Sequence, residues 1–309
     1  MSVEVHLPKI VCILGPTGSG KNDLALELSD KVELEIINFD SRQVYADLPL
    51  ITAQPSDEEK NICPHHLYGF LKLEDKISAG RFVDMAEKTI SEVLKRGSVP
   101  FLVGGTGLYI RSLIYGLVNI PDIPESIYQE LEEQCQISGV GRLRQELEKV
   151  DPEYSSSIST MDRQKIIRAL SVYRTTGISF SDWHKKQNRI PFFNALKIGI
   201  WKDLKDLTFD LDKRIGKMIE MGAVPEVEKA WVKSGKDDTC PAFSGIGCRE
   251  IISMLEGEID LREARTIWLK KTRAYAKRQL TWFKKENNVH WFSRKDFSKA
   301  ENLVVDFLG

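Results

Sequence analysis

The sequence has few features that mark a secreted, disulfide-linked or membrane-spanning protein. Its 309 residues include only five cysteines, and no two of them form a C-x-x-C pair. Such scattered cysteines favour reduced thiols in the cytoplasm. No apolar run approaches the roughly 20 residues that a transmembrane helix needs. The stretch from Met1 to Lys9 carries Glu4 and His6, unlike a signal peptide. We therefore expect a cytoplasmic protein that does not enter a membrane.

The chain also lacks a large net charge, which is −1 at pH 7. The basic residues are nevertheless concentrated in two stretches. The stretch 163–189 contains seven lysines and arginines, Arg189 being the last, and one acidic residue. The stretch 261–285 contains nine and again one acidic residue. Two basic stretches in a neutral protein indicate local contacts with a polyanion.

A glycine-rich stretch stands out near the N-terminus. It follows the apolar run 10–14 and precedes apolar residues at helical spacing, the strand–turn–helix context of a nucleotide-binding or ATP-binding P-loop. Backbone N–H groups and the helix N-terminus would hold phosphates there, with Lys21 at the terminal phosphate. Asn22 replaces the usual Mg²⁺-binding Ser or Thr, although an amide oxygen also binds hard cations. We predict a diphosphate site formed by Gly15, Pro16, Thr17, Gly18, Ser19, Gly20, Lys21 and Asn22.

Strand and helix patterns alternate through the first third of the chain. Apolar runs at 36–39 and 99–103, with a helical stripe over 79–95 between them, predict a P-loop NTPase-like α/β fold, a parallel sheet flanked by helices. Asp40 and the Gly104–Gly107 loop each follow a strand, so we place them at the edge where such sheets bind ligands. Further strands are predicted at 195–200 and 289–292, and further helices at 211–221, 225–233 and 262–285.

Only helical patterns occur between Pro121 and about residue 189. The predicted helices span 125–135, 139–149 and 162–175. We therefore expect a catalytic core of residues 1–117 and 195–309, interrupted by an all-helical insertion domain of residues 118–194.

The helix predicted over 262–285 has two different faces. One carries aromatic residues every seven positions, together with Thr272 and Gln279, and the other is basic. Two interpretations stay open: a solvated basic face behind inward-packed aromatics, or a track for a nucleic-acid backbone. The aromatic residues are Trp268, Tyr275 and Trp282, and the basic ones are Lys270, Arg273, Lys277 and Lys284.

Seven motifs together resemble those of one family, the tRNA dimethylallyltransferases (isopentenylpyrophosphate:tRNA transferases). The resemblance runs from the P-loop almost to the end of the chain. Each motif alone is weak, but seven in the same order are specific. They are Gly15–Lys21, Asp40–Tyr45, Thr52–Pro55, Pro64–Leu67, Val103–Tyr109, Arg168–Leu170 with Thr176-Gly177, and Ala276–Trp282.

The resemblance implies transfer of a dimethylallyl group from dimethylallyl pyrophosphate to the exocyclic amine of the adenine 3′ of the tRNA anticodon. Pyrophosphate is the leaving group, and Mg²⁺ is the implied cofactor. Asp40 matches the family's general base, and Thr106 matches a residue near the reaction centre. Lys21 and Arg214 would neutralise the charge of the diphosphate.

The resemblance also implies an RNA-binding surface around a flipped-out adenine. The partner would be the tRNA anticodon stem-loop, contacted in part by the insertion domain, and we expect the enzyme to be a monomer. The implied tRNA-binding residues are Asp40, Ser41, Arg42, Gln43, Thr106, Gln164, Lys165, Ile166, Ile167, Arg168, Ser244, Gly245, Ile246, Gly247, Cys248, Arg249, Arg273, Lys277 and Arg278.

Four positions depart from the family pattern. Asn22 replaces a hydroxyl residue, Asp210 stands where the family often has a second arginine, Cys248 replaces Tyr, and Lys165 replaces Arg. Three other functions therefore stay in consideration. They are a P-loop kinase of a small metabolite, an adenylate isopentenyltransferase acting on free nucleotide, and a tRNA-binding protein with a degenerate P-loop.

Overall fold

Six parallel strands form the centre of the protein. The computed structural model describes residues 7–186 and 190–309. The sheet order is β3-β2-β4-β1-β5-β6, and every neighbouring pair is parallel. The predicted α/β fold class is therefore confirmed. The strands are β1 Lys9–Leu14, β2 Leu34–Asn38, β3 His65–His66, β4 Val99–Gly104, β5 Asn194–Ile200 and β6 Val289–Phe292.

Helices follow the strands of the first part of the chain and cover the sheet. The predicted helix over 79–95 is observed with those bounds, and Phe82, Ala86 and Ile90 of its stripe are buried. Three elements of this part of the chain have no prediction to match: the short helices α2 and α4 and the two-residue strand β3. The helices are α1 Lys21–Ser29, α2 Asp57–Ile62, α3 Ala79–Lys95 and α4 Gly107–Tyr115.

The chain divides into two compact units, Met1–Ile114 with Pro191–Gly309, and Tyr115–Ile190. Helices are the only regular secondary structure among the described residues of the smaller unit, and α5 and α6 pack on α8. Its core contains Leu131, Leu143, Leu147 and Leu170 together with Ile166 and Ile167. The helices are α5 Glu125–Ser138, α6 Val140–Val150, α7 Pro152–Ser157, α8 Arg163–Thr176 and α9 Phe180–Lys186.

Five helices complete the larger unit. The helix expected at 211 begins at Leu204, because the Asp203 carboxylate caps it by accepting the Lys205 N–H at 2.8 Å. The long basic helix is present as α13, close to its predicted bounds. These helices are α10 Leu204–Glu220, α11 Ala223–Lys233, α12 Cys248–Leu255, α13 Leu261–Phe283 and α14 Phe297–Leu308.

Two sequence expectations involve residues outside the described ranges. Residues 1–6 belong to the stretch that we judged unlike a signal peptide, and Arg189 is the last residue of the basic stretch 163–189. Among the described residues, no helix is both long and apolar enough to cross a bilayer. The first residue of β5, Asn194, pairs with Lys9 of β1 and so belongs to the sheet.

A buried carboxylate joins β2, β3 and the end of α3. Glu35 is the second residue of β2 and is only 4% exposed. It accepts hydrogen bonds from Nε of Arg96 at 2.8 Å and from Nη2 at 2.6 Å, and Nε2 of His66 lies 2.6 Å from it. These bonds, the Arg96 guanidinium first, lower the pKa of Glu35 to about 2.

We predict that Glu35→Gln lowers the free energy of unfolding by about 1–3 kcal/mol at pH 7, because it removes a charged acceptor from Arg96 and His66. The folded pKa of Glu35 lies below the unfolded value, so its contribution exists above about pH 4.5 and fades as the pH falls toward 2. Urea denaturation at pH 7 and pH 3 measures this, with the exposed Glu27→Gln as control. An equal loss at both pH values would contradict it.

Candidate active site

The P-loop joins β1 to α1 with a backbone that only glycine adopts without strain. Gly18 and Gly20 have φ angles of 78° and 94°, in the left-handed region. A Cβ on Gly15 would lie 2.4 Å from the carbonyl oxygen of Ile200, so no larger residue fits there. The loop therefore turns tightly and delivers its backbone to the N-terminus of α1, the arrangement that binds phosphates.

Not every N–H group of the P-loop is available to a ligand. Ser19 N–H donates to the Pro16 carbonyl at 3.3 Å, and Thr17 N–H donates to Oε1 of Gln279 at 2.9 Å. Within the described residues, no hydrogen bond engages the N–H groups of Gly18 and Gly20. These two, with the first N–H of α1, are therefore donors of the P-loop that a ligand could use.

Two cations and one carboxylate share a single cavity of about 1150 Å³ with the P-loop: Lys21, Arg214 and Asp40. Burial lowers the pKa of Lys21 to about 8, while the charge of Asp40 acts in the opposite direction. Burial also lowers the pKa of Arg214, and the negative charge of Asp40 again acts in the opposite direction. The structure thus brings together the three predicted catalytic residues that carry charge.

Asp40 is held by the loop that follows β2. Its N–H donates to Oδ1 of Asn38 at 2.7 Å, and its own Oδ1 accepts the Arg42 N–H at 2.9 Å. The Asn38 amide also donates to the Leu67 carbonyl at 2.9 Å, which anchors the loop on the chain after β3. Asp40 therefore has a fixed backbone and presents its carboxylate to the cavity.

The loop after β4 is joined to the Asp40 loop by backbone contacts. Phe39 N–H donates to Val103 O at 2.9 Å, and Thr106 N–H donates to Phe39 O at 3.0 Å. Oγ1 of Thr106 accepts the Ser41 N–H at 3.0 Å. A Cβ on Gly104 would lie 2.2 Å from the Phe39 carbonyl carbon, so glycine is required for this approach. Thr106 and the Asp40 loop are consequently one unit.

The Asp40 loop also reaches the predicted RNA-binding stretch at 244–249. Nη1 of Arg42 donates to Oγ of Ser244 at 2.6 Å and to the Pro241 carbonyl at 3.3 Å. Ser244 and Arg249 are exposed, whereas Gly245, Gly247 and Cys248 are buried. Gln43 lines the catalytic cavity, and its amide donates to the Thr52 carbonyl at 3.3 Å.

Three of the predicted tRNA-contacting side chains are in the wrong environment for that role. Cys248 is 1% exposed, and burial raises the pKa of its thiol to about 12. Ile166 and Ile167 are 0% and 3% exposed in the core of the helical unit. They are buried because both are apolar residues on the inner face of α8. Gln164, Lys165 and Arg168 are exposed on the same helix.

Helix α13 has the two faces that the sequence predicts. Trp268 and Gln279 are buried, and Trp282 is 38% exposed. The basic side chains are exposed, including the three predicted to bind tRNA and two more: Lys270, Arg273, Lys277, Arg278 and Lys284.

Sequence reasoning missed several basic residues of the cavity. Lys202 follows β5 and forms an ion pair with Asp210, the residue that stands where the family often has arginine. Lys205 and Arg294 also line the cavity, and Arg294 pairs with Asp23 at 3.0 Å. No motif marks these residues. Only the sheet order, which places β5 beside β1 and β6 beside β5, brings them to the P-loop.

Comparison with known proteins identifies the family of this chain. A model of the IPP transferase family matches residues 43–286. The chain belongs to the IPP transferase family. The resemblance inferred from the seven motifs is thereby confirmed.

Relatives within the IPP transferase family match over nearly their full length. The tRNA dimethylallyltransferase of Maridesulfovibrio salexigens is 50% identical over 299 residues, 97% of each chain. That of Oleidesulfovibrio alaskensis is 45% identical over 300 residues, 97% of this chain and 98% of the relative.

Solved structures give the same result. The tRNA isopentenylpyrophosphate transferase of Bacillus halodurans superposes with a TM-score of 0.71 at 33% identity, covering 96% of both chains. A eukaryotic dimethylallyltransferase acting on tRNA superposes with a TM-score of 0.84 at 26% identity, covering 97% of this chain and 79% of that one.

The lowered pKa of Lys21 predicts an alkaline limit to diphosphate use. Lys21 carries its charge below about pH 8 and loses it above, so kcat/KM for dimethylallyl pyrophosphate should decline as the pH rises through about 8. Arginine stays charged, so Lys21→Arg, although less active, should lack that decline between pH 8 and 9.5. Steady-state kinetics measure both profiles. A wild-type profile that stays flat to pH 9.5 would rule out this role for Lys21.

Proposed function

We propose that this IPP transferase is a tRNA dimethylallyltransferase that transfers the dimethylallyl group of dimethylallyl pyrophosphate to the exocyclic amine of the adenine 3′ of the anticodon. One observation carries the proposal. The P-loop, the cations Lys21 and Arg214, and the carboxylate of Asp40 line the same cavity. A diphosphate leaving group and a proton acceptor are what this alkylation needs at one place.

The P-loop side of the cavity binds the leaving group. As the bond between the allylic carbon and the diphosphate oxygen breaks, negative charge develops on that oxygen. The N–H groups of Gly18 and Gly20 and the charges of Lys21 and Arg214 stabilise this charge because they are already oriented in the free protein. Half-buried cations act more strongly than exposed ones because less water screens them.

The Asp40 side of the cavity binds the nucleophile. The adenine amine forms a bond to the allylic carbon, and its surplus proton passes to the Asp40 carboxylate. Oγ1 of Thr106 accepts the Ser41 N–H and has a second lone pair, which accepts an N–H of the amine and orients it. Pyrophosphate leaves with the electron pair of the broken bond, so the reaction needs no other co-reactant.

Magnesium is the cofactor that the proposed reaction implies, and the residues fit it in one respect. Oγ of Ser19 is buried without a hydrogen-bond partner, and Ser19 and Asn22 both line the cavity. The described residues contain no cluster of three His, Cys, Asp or Glu that would hold a metal alone. Ser19 and Asn22 would therefore hold an ion shared with the diphosphate, which supplies positive charge to the leaving group.

The RNA side of the proposal rests on basic side chains that are all exposed except Arg42, which is partly exposed. Arg42, Arg249 and the basic face of α13 belong to the larger unit, and Lys165 and Arg168 belong to the helical unit. We propose that both units contact the anticodon stem-loop, with the adenine flipped out of its stack at a cost of a few kcal/mol. The monomeric state stays a prediction. The cytoplasmic location also stays a prediction, and the five free thiols are compatible with it.

Mass analysis of tRNA tests the proposed function. After incubation of unmodified tRNA with dimethylallyl pyrophosphate and Mg²⁺, nuclease digestion should give an anticodon-loop fragment heavier by one dimethylallyl group. Transfer of phosphate from ATP, prenylation of free adenosine nucleotides only, or tight tRNA binding without turnover would each replace the proposal by one of the three other functions.

We predict that Asp40→Asn lowers kcat by about 10²–10⁴-fold, the usual contribution of a general base, while tRNA affinity stays close to that of the wild type. Single-turnover prenylation and filter binding measure the two quantities. Asp84→Asn, an exposed change on α3, is the matched control. Wild-type turnover in Asp40→Asn would remove Asp40 from the role of base.

The basic face of α13 yields a separate prediction. Arg273→Ala combined with Lys277→Ala should weaken tRNA binding and reduce the slope of log Kd against log salt by about 0.7–0.9 per lost phosphate contact. Lys88→Ala with Lys95→Ala, an exposed pair on α3, is the control. An unchanged slope would mean that the basic face of α13 is only solvated.

A further inference from the structure

The side-chain amide of Gln279, on helix α13, lies between two loops of the active site and bonds to both. Gln279 is 5% exposed. Its Oε1 accepts the N–H of Thr17 in the P-loop at 2.9 Å, and its Nε2 donates to the carbonyl of Gly105 at 3.0 Å. These two loops follow the neighbouring strands β1 and β4, and they carry the opposite ends of the proposed reaction.

The contacts require a glutamine and a glycine. An amide side chain offers a strong acceptor and a strong donor on one planar group without needing a proton from solution, and Gln279 uses both. A Cβ on Gly105 would lie 2.0 Å from Nε2 of Gln279. This Cβ position is 3.4 Å from Oδ2 of Asp40. Gly105 therefore lies between the Gln279 amide and the proposed base.

We infer that Gln279 is a positioning residue, which fixes the distance between the diphosphate-binding loop and the loop of Asp40 and Thr106. The inference rests on the proposed function. By holding the Thr17 N–H, Gln279 turns that group away from the phosphates and leaves Gly18 and Gly20 to bind them. By holding the Gly105 carbonyl, it sets where Thr106 meets the Ser41 N–H.

Packing alone is the competing explanation, because α13 also buries apolar groups against this part of the protein. A Cβ on Gly107 would lie 1.9 Å from Nε1 of Trp282, and Ala276 is fully buried. If Gln279 only filled space, an apolar side chain of similar size would replace it. If it positions the loops, loss of either the donor or the acceptor of Gln279 lowers the rate of prenylation.

The test compares Gln279→Glu with Gln279→Leu. A neutral carboxyl reproduces both hydrogen bonds, whereas a carboxylate keeps the acceptor for Thr17 but repels the Gly105 oxygen. Burial favours the neutral form, so the proton is held at lower pH and lost as the pH rises. The nearby titrating groups are Asp40, Lys21 and Tyr275, and the Tyr275 side chain also hydrogen-bonds that of Gln279. A ratio of variant to wild type removes the part of their pH dependence that the two enzymes share.

The expected results follow from these protonation states. The ratio of kcat/KM between Gln279→Glu and wild type should rise as the pH falls from 8 to 6. Gln279→Leu should lose about 10²-fold at every pH, the scale of a 1 Å misplacement. Both variants should bind tRNA as the wild type does. Thr266→Ala is the control, since its hydroxyl bonds only within α13, to the Arg262 carbonyl.

Three results would overturn the inference: a Leu variant within about threefold of wild type, a Glu ratio that does not change with pH, or tRNA affinity that falls in parallel with kcat/KM. If Gln279→Leu does not fold, the pH ratio of Gln279→Glu still decides. A wild-type enzyme that does not prenylate tRNA at all would instead refute the proposed function.

Discussion

The active site depends on one close backbone contact between two parallel strands. Where β2 and β4 end, Gly104 lies so near the Phe39 carbonyl that a Cβ would be 2.2 Å from its carbon atom. This contact lets Phe39 exchange backbone hydrogen bonds with Val103 and Thr106. Asp40, one residue further, is thereby fixed beside Thr106. Since β1 pairs with β4 on its other side, the P-loop opens at the same edge.

Charge in the cavity is balanced, and this affects how a diphosphate is held. Its lining contains six lysines and arginines and six aspartates and glutamates. Two cations are already paired, Lys202 with Asp210 and Arg294 with Asp23. Of the other four, Lys205 and Lys295 are exposed, whereas Lys21 and Arg214 are half-buried and so are best placed to neutralise a diphosphate. Because Asp210 stands where the family often has a second arginine, we expect Arg214 to supply more of this neutralisation.

The sequence predicted the local elements better than it predicted their neighbours. The P-loop, the helix at 79–95 and the two faces of α13 were predictable because each depends on short-range periodicity or turn chemistry. The roles of Gln279, Lys202 and Arg294 were not, since they depend on which strands lie side by side. The stretch 164–168, which we predicted to contact tRNA, includes two side chains that are buried in the structure. A motif gives contiguous residues, whereas a helix exposes only one of its sides, and Ile166 and Ile167 face inward.

A crystal structure of the enzyme with pyrophosphate and an anticodon stem-loop would test the central claim most directly. We predict a diphosphate on the N–H groups of Gly18 and Gly20 with Lys21 and Arg214 beside it. The exocyclic amine of a flipped-out adenine should lie within hydrogen-bond distance of Asp40. A diphosphate bound elsewhere, or an adenine amine that Asp40 does not reach, would contradict the account.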